Sequence, residues 1–450
     1  MTETRVTNVA ALIDAYPLGA LQIRTLILCG LAALLDGLDL QSIGLAAPGI
    51  IATLHVPPRS FGMVFSAALL GLMLGAFSLG PIADRLGRRR ILIGALVIFG
   101  VFTFATAYAK SFEMLLAIRF LAGIGLGGAM PSFISLGSEY APRRLRVMLV
   151  GLLWAGFPLG GVLGGILGSY VIPAFGWQAL FYVGGVLPIL LAAVLVPTLP
   201  ESIAFLVARG AASSEIATLL QRITGHQSPP GTSFILPEER TPGLKLRHLF
   251  THGRASGTVL LWITYFLIFL MLVTNTAWSP TLLHAGGMAL AQAAIAMAVF
   301  NAGSVVGTCL VGVLITRFDA YLSLAILFVA SAVCFGLIGH AAPSFLGITT
   351  LEGLTGLFLG AGSSGLIAVT AIFYPTAARS TGVGWAMGMG RFGSFTGPLL
   401  VAMMVGAGWD ITAIYGAVGA PAMLAAAGMA AMAWLRRGMP EASVAPAQSL

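Results

Sequence analysis

Charge is what this sequence has least of. Only 8% of its 450 residues are Asp, Glu, Lys or Arg, where soluble domains carry about 25%. With 58% apolar residues, the chain cannot turn most of its surface to water, which excludes an ordinary soluble domain. Cysteine is scarce too: Cys29, Cys309 and Cys334 lie in separate apolar stretches, which excludes a disulfide framework and a thiolate metal site. The six histidines fall in loops or near the ends of apolar runs, and no nucleophile–base set or metal cluster is present, so neither an enzyme nor a cofactor is expected. A cleavable leader is not evident: Glu3, Asp14 and Pro17 precede a long apolar run that is itself interrupted by acids, so the first helix is expected to stay in the mature chain.

Long apolar runs are what the sequence has instead. A bilayer core of roughly 30 Å takes about 20 helical residues. Runs near 25–50, 61–82, 91–109, 113–139, 147–170 and 178–197 form one set; 256–282, 290–315, 321–340, 346–372, 380–406 and 411–435 form a second. The prediction is an all-α membrane protein of twelve transmembrane helices in two pseudo-symmetric six-helix bundles, 25–197 and 256–435. A tail at 1–24, a linker at 198–255 and a tail at 436–450 complete the chain. The linker holds Pro229, Pro230, Pro237 and Pro242 with several arginines, and short surface helices are expected near 201–209 and 213–223. Glycine, at 58 residues, clusters in the apolar runs, where it lets helix backbones approach closely.

With the N-terminus inside, only Arg59 and Lys110 fall in outside loops and Arg119 and Arg391 within spans; the rest of the 23 basic residues lie on the inner side or its boundary. That asymmetry places both termini in the cytoplasm of a bacterial inner membrane, and it accounts for the net charge of +8 without a nucleic-acid partner. The two halves also resemble each other. Gly80-Pro-Ile-Ala-Asp84-Arg85 matches Gly312-Val-Leu-Ile-Thr316-Arg317 at an offset of 232, and Gly123, Gly127, Pro142 and Arg146 match Gly356, Gly360, Pro375 and Arg379 at 233. Parallel repeats of this kind put a substrate site between the halves near the midplane, which points to transport.

Charges inside or beside the spans are the candidate site. Asp36 and Asp39, three apart in the first helix, share a face; Asp36 lies about 18 Å along from Arg24, near mid-bilayer. Each intramembrane acid costs roughly 2.5–3.5 kcal/mol, so the pair is expected either to carry protons or to hold a buried arginine. Arg119 in the fourth helix steers such a proton, holds an anion, or forms a structural ion pair; Glu352 occupies its repeat position in the tenth. Glu139, with Arg143 and Arg146, reads as a charge cluster at the inner gate. Arg391, deep in the eleventh helix among small residues, suits a bound carboxylate or an acid of the first helix. Trp154, Trp262, Tyr265 and Trp385 are candidates to stack on a ring, or face lipid and neighbouring helices; Asn275 is a hydrogen-bonding candidate. In the loop Gly80–Arg90, Asp84 can accept charge-assisted bonds across the inner face, with Arg85 and Arg88 beside it, unless the loop is simply a solvated basic turn.

These residues carry a resemblance. The 80–90 loop matches the signature loop of the major facilitator superfamily position by position. Leu12–Leu18, Leu35-Asp-Gly-Leu-Asp-Leu-Gln41, Ile43-Gly44 and Ala47-Pro48, with Arg119-Phe120, Glu139-Tyr140, Arg379–Gly382 and Gly390-Arg391, resemble its aromatic acid:proton symporters, marked by an Asp-Gly-x-Asp motif in the first helix. The stretch Gly37–Gln41 is similar to the 3-(3-hydroxyphenyl)propionate members, with 4-hydroxybenzoate and benzoate members as near relatives. The resemblance implies proton-driven uptake of an aromatic carboxylate into a Gram-negative cell, by a carrier working as a monomer. It implies that Asp36 and Asp39 are needed and that Asp84, Arg119, Glu139, Arg379 and Arg391 matter. Arg391, Asp39, Trp385 and Tyr265 are then expected to bind substrate, with Asp36, Asp39, Arg119 and Glu139 coupling protons and Asp84, Arg85, Arg88, Arg146 and Arg379 gating. Two departures stand out: Thr316 replaces the acid of the second signature loop, and the loop Arg317–Tyr321 lacks the histidine that family members can carry there. An exporter, a carrier of another organic anion, or a transport-dead membrane sensor are the alternatives on the same fold.

Overall fold

Serine hydroxyls mark where polar turns give way to apolar helix, and they do so at repeat positions. Ser111 accepts a hydrogen bond from the Met114 amide at 3.2 Å, and Ser344, 233 residues on, accepts one from the Gly347 amide at 3.2 Å. The computed structural model describes residues 6–225, 227, 229, 232–235, 246–251, 253–341 and 344–437. The linker residues Pro237, Arg240, Pro242 and Lys245 and nearly all of the tail assigned to 436–450 lie outside the described residues.

Among the described residues, twelve long helices follow in order. They are α1 (Ala20–Leu54), α2 (Phe61–Leu86), α3 (Arg88–Thr106), α4 (Phe112–Tyr140), α5 (Arg143–Phe175) and α6 (Trp177–Thr198), then α7 (Ala255–Ala285), α8 (Leu290–Arg317), α9 (Ala320–Ala341), α10 (Phe345–Phe373), α11 (Thr376–Gly406) and α12 (Ile411–Arg437). Eleven are long and apolar enough to cross a membrane by composition alone. The remaining one, α11, carries Arg379 and Arg391 and a run of glycines, which lower its mean hydropathy. Several helices overrun their expected ends by one turn, because apolarity marks only the lipid-buried part of a helix. The expected surface helices form at Ile203–Ala208 and Ser213–Thr224. The latter is amphipathic, burying Ile216, Leu219, Leu220 and Ile223 at helical spacing.

The chain divides into two compact units: 6–235 with 279–284 and 289–298, and 246–278 with 285–288 and 299–437, counting described residues. In the first, glycines bring helices into backbone contact. A methyl group added at Gly123 would press into the Ala68 carbonyl of α2, and one at Gly160 into the Leu34 carbonyl of α1. In the second, Gly356 meets the Phe300 carbonyl of α8 and Gly393 the Phe266 carbonyl of α7 in the same way. All four correspondences hold at offsets of 232 or 233, so the internal repeat is a repeat of packing as well as of letters. One non-helical device belongs to the first unit. Val6–Asn8 pairs in parallel with Ser233–Ile235, and Asn8 then caps the short helix Val9–Asp14 through bonds from the Ala10 and Ala11 amides.

Candidate functional site: a buried ion pair and a charged rim

α1 packs on α4 and α5, and the approach depends on Gly37, where any side chain would collide with the backbone of Phe157. Beside it, Asp39 meets Arg119 in a two-pronged ion pair. Arg119 Nη1 donates to Oδ1 at 3.0 Å and Nη2 to Oδ2 at 2.7 Å, with both side chains at 0% exposure. Thr103 of α3 donates a third bond to Oδ1 at 2.9 Å, and the guanidinium lies 5.9 Å from the centre of the Phe181 ring on α6. Asp39 thus accepts three charge-assisted hydrogen bonds, two of them from the guanidinium. Removing either partner of such a pair costs about 3–5 kcal/mol, because a charge is stranded in a dry interior. Asp36 lies one turn earlier and is 4% exposed. Of the two carboxylates expected to act together, Asp39 is the one the structure joins to Arg119. Thr103 was not legible beforehand, since a lone hydroxyl in an apolar helix carries no signal.

A second cluster sits where α2 turns into α3. Gly87, at φ 101°, is the single residue between the two helices, and a side chain there would strike the Glu201 carboxylate. Arg88 bonds Asp84 at 3.4 Å and pairs with Glu139 at the end of α4. Glu139 also accepts from the Ser202 hydroxyl at 2.6 Å and the Ala204 amide at 3.3 Å. Glu201 accepts from the Arg89 and Ser202 amides at 3.0 and 2.9 Å, where it faces the positive end of α3. The linker's first residues are therefore fastened to the signature turn. The expected cluster of Glu139, Arg143 and Arg146 is partly rearranged: Glu139 turns to Arg88, Arg143 pairs with Asp14 at 3.6 Å, and Arg146 lines a cavity of about 210 Å³ between them. Asp84 and Arg85 are exposed, and the bond that Asp84 makes here stays within its own loop.

In the second unit, Trp385 stacks on Trp262 at 5.9 Å and 21°, and is 47% exposed. Tyr265 is wholly buried and lies parallel to Phe269 at 6.0 Å, so of the two rings proposed for substrate only Trp385 presents an accessible face. Arg391 is half-buried in α11, and Arg379 is exposed near its start. Glu352 of α10, at 0% exposure, accepts a bond from the Asn275 amide at 2.9 Å, and Asn275 is 2% exposed. In the sequence each is a candidate by itself, and nothing there joins the two.

Twelve helices in two repeated sets of six, with an ion pair deep inside one set, define a multi-pass membrane carrier. The Major Facilitator Superfamily model matches residues 29–346. The 4-hydroxybenzoate transporter of Pseudomonas aeruginosa is 39% identical over 93% of this chain and 94% of its own. The 3-(3-hydroxyphenyl)propionate transporter of Escherichia coli K12 is 36% identical over 89% of this chain and 91% of its own. Among solved structures, a D-xylose–proton symporter superimposes with a TM-score of 0.70 at 19% identity, over 90% of this chain and 97% of that one, a likeness of fold. The chain belongs to the Major Facilitator Superfamily, in its branch of aromatic acid transporters.

Proposed function

We propose that this protein takes up an aromatic carboxylate together with protons by alternating access, across a bacterial inner membrane, as a monomer with both termini cytoplasmic. The observation that carries the reading is the wholly buried Asp39–Arg119 pair; the names of the similar transporters supply the substrate class. A proton arriving on Asp39 removes its charge and weakens both guanidinium bonds, so the deep pair can open. Asp36 shares the helix and the proton path. Arg391 takes the substrate carboxylate bidentately and Trp385 its ring, with Tyr265 backing the aromatic wall.

Gating falls to Asp84, Arg85, Arg88, Arg146 and Arg379, with Glu139 exchanging partners as the inner face opens and closes. The electrical driving force is about 2.3 kcal/mol per charge per 100 mV, and a monoanion entering with one proton draws on the pH gradient alone. The test is uptake of labelled 4-hydroxybenzoate, 3-(3-hydroxyphenyl)propionate and a non-aromatic acid by cells lacking their own carriers. The expected result is aromatic-acid accumulation that a protonophore abolishes. Protonophore-insensitive uptake removes the symport, and accumulation of the non-aromatic acid alone moves the reading to another organic anion.

A further inference from the structure

The two units hold different chemistry at one repeat position. Arg119 in α4 corresponds to Glu352 in α10, and Asp39 in α1 corresponds to Met271 in α7 by the offsets that the glycine contacts obey. The repeat position of Asp39 is therefore apolar in the second unit, and Glu352 bonds to Asn275, one helical turn further along α7.

The partners differ in what they allow. A guanidinium has donors only, so Arg119 favours Asp39 ionised. A carboxamide has both a donor and an acceptor, so Asn275 can donate to the Glu352 carboxylate or, with the amide turned over, accept from its acid form. From α9 the titratable group at this site is the Cys334 thiol, which interacts with Glu352 and is itself bonded to Thr355. On the same helix as Glu352, Gly353 and Gly356 meet Val299 and the Phe300 carbonyl of α8. A carboxyl group bonded to a side-chain amide can pass between its two forms with that bond kept in each.

Resting on the proton-coupled reading above, we infer that Glu352 is a proton-carrying residue of the second unit, held by Asn275 as its positioning partner. The proton comes from water on the uptake side, bonds to a Glu352 carboxylate oxygen, and leaves to water on the other side once the site has reopened. Nothing is oxidised or reduced.

The test uses the purified full chain in liposomes, with two readouts: substrate counterflow, which needs no net proton movement, and substrate-driven proton entry followed by an internal pH dye. Glu352→Gln keeps a hydrogen-bonding side chain of the same size. It is expected to hold counterflow within about twofold of the natural protein while proton entry falls at least about tenfold. Asn275→Leu is expected to shift the midpoint of the pH profile of uptake, which a packing role alone leaves in place. Proton entry unchanged in Glu352→Gln overturns the inference, as does loss of both readouts together with an unshifted Asn275→Leu profile. Absence of substrate-driven proton entry in the natural protein instead overturns the symport reading itself.

Discussion

The two halves are built alike and furnished differently. Gly123 on Ala68 and Gly356 on Phe300, or Gly160 on Leu34 and Gly393 on Phe266, are the same contact made twice. Yet the first unit buries a full ion pair with a threonine in support, and the second buries an acid against an amide. Backbone contact tolerates no side chain at these glycines, so the scaffold is held to one pattern. The polar residues are not held to that pattern, and Arg119 stands where the second unit has Glu352. Duplication therefore preserves the packing and leaves the chemistry of each half to diverge.

The largest effect expected from disturbing this comparison is at the ion pair. Arg119→Leu strands the Asp39 carboxylate and should destabilise the detergent-solubilised protein by about 3–5 kcal/mol in thermal melts, with uptake abolished. Adding Asp39→Leu should restore most of the stability and none of the transport. Next come the glycines: Gly123→Ala and Gly356→Ala should each cost about 1–3 kcal/mol by overpacking, and the two losses should match. A large loss on one side only would mean that the repeat is not one of packing. Asn275→Leu should cost about 1–3 kcal/mol, less than the loss of Arg119, because a neutral donor is removed from a buried acceptor. The smallest change in stability, under about 1 kcal/mol, is expected for Asp84→Asn, since the Asp84 carboxylate is largely solvent-exposed and Arg88 keeps its pair with Glu139. Its effect should fall on the transport rate in uptake assays instead.

Much of this was legible in the order of residues. Twelve helices follow from apolar runs of bilayer length, and Arg391 and Arg379 explain why α11 alone of the twelve lacks, among the described residues, a stretch apolar enough to count as a span by composition. Asp39 and Arg119 could be singled out because charge in such a run needs a partner, and each proved to be the other's. The Glu352–Asn275 bond could not be derived, because the repeat points to Met271 as the counterpart of Asp39 and only the folded α7 presents Asn275 one turn on. The turn to Arg88 by Glu139 was hidden for another reason. Its rivals Arg143 and Arg146 are closer in sequence, and Gly87 is what brings α3 round to it. The strand pair at Val6–Asn8 and Ser233–Ile235 was invisible altogether, since three residues are too few for an alternation to register.

That strand pair has a consequence for how the molecule is made. Its partners are separated by all six helices of the first unit. The ribosome must therefore deliver the whole of that set before the ladder can close. Until then Val6–Asn8 has no strand to join, and a chain stalled short of Ser233 would hold its amino end only through contacts such as Asp14 with Arg143. The closed ladder is thus a timestamp on biogenesis, set only when half of the carrier has been synthesised.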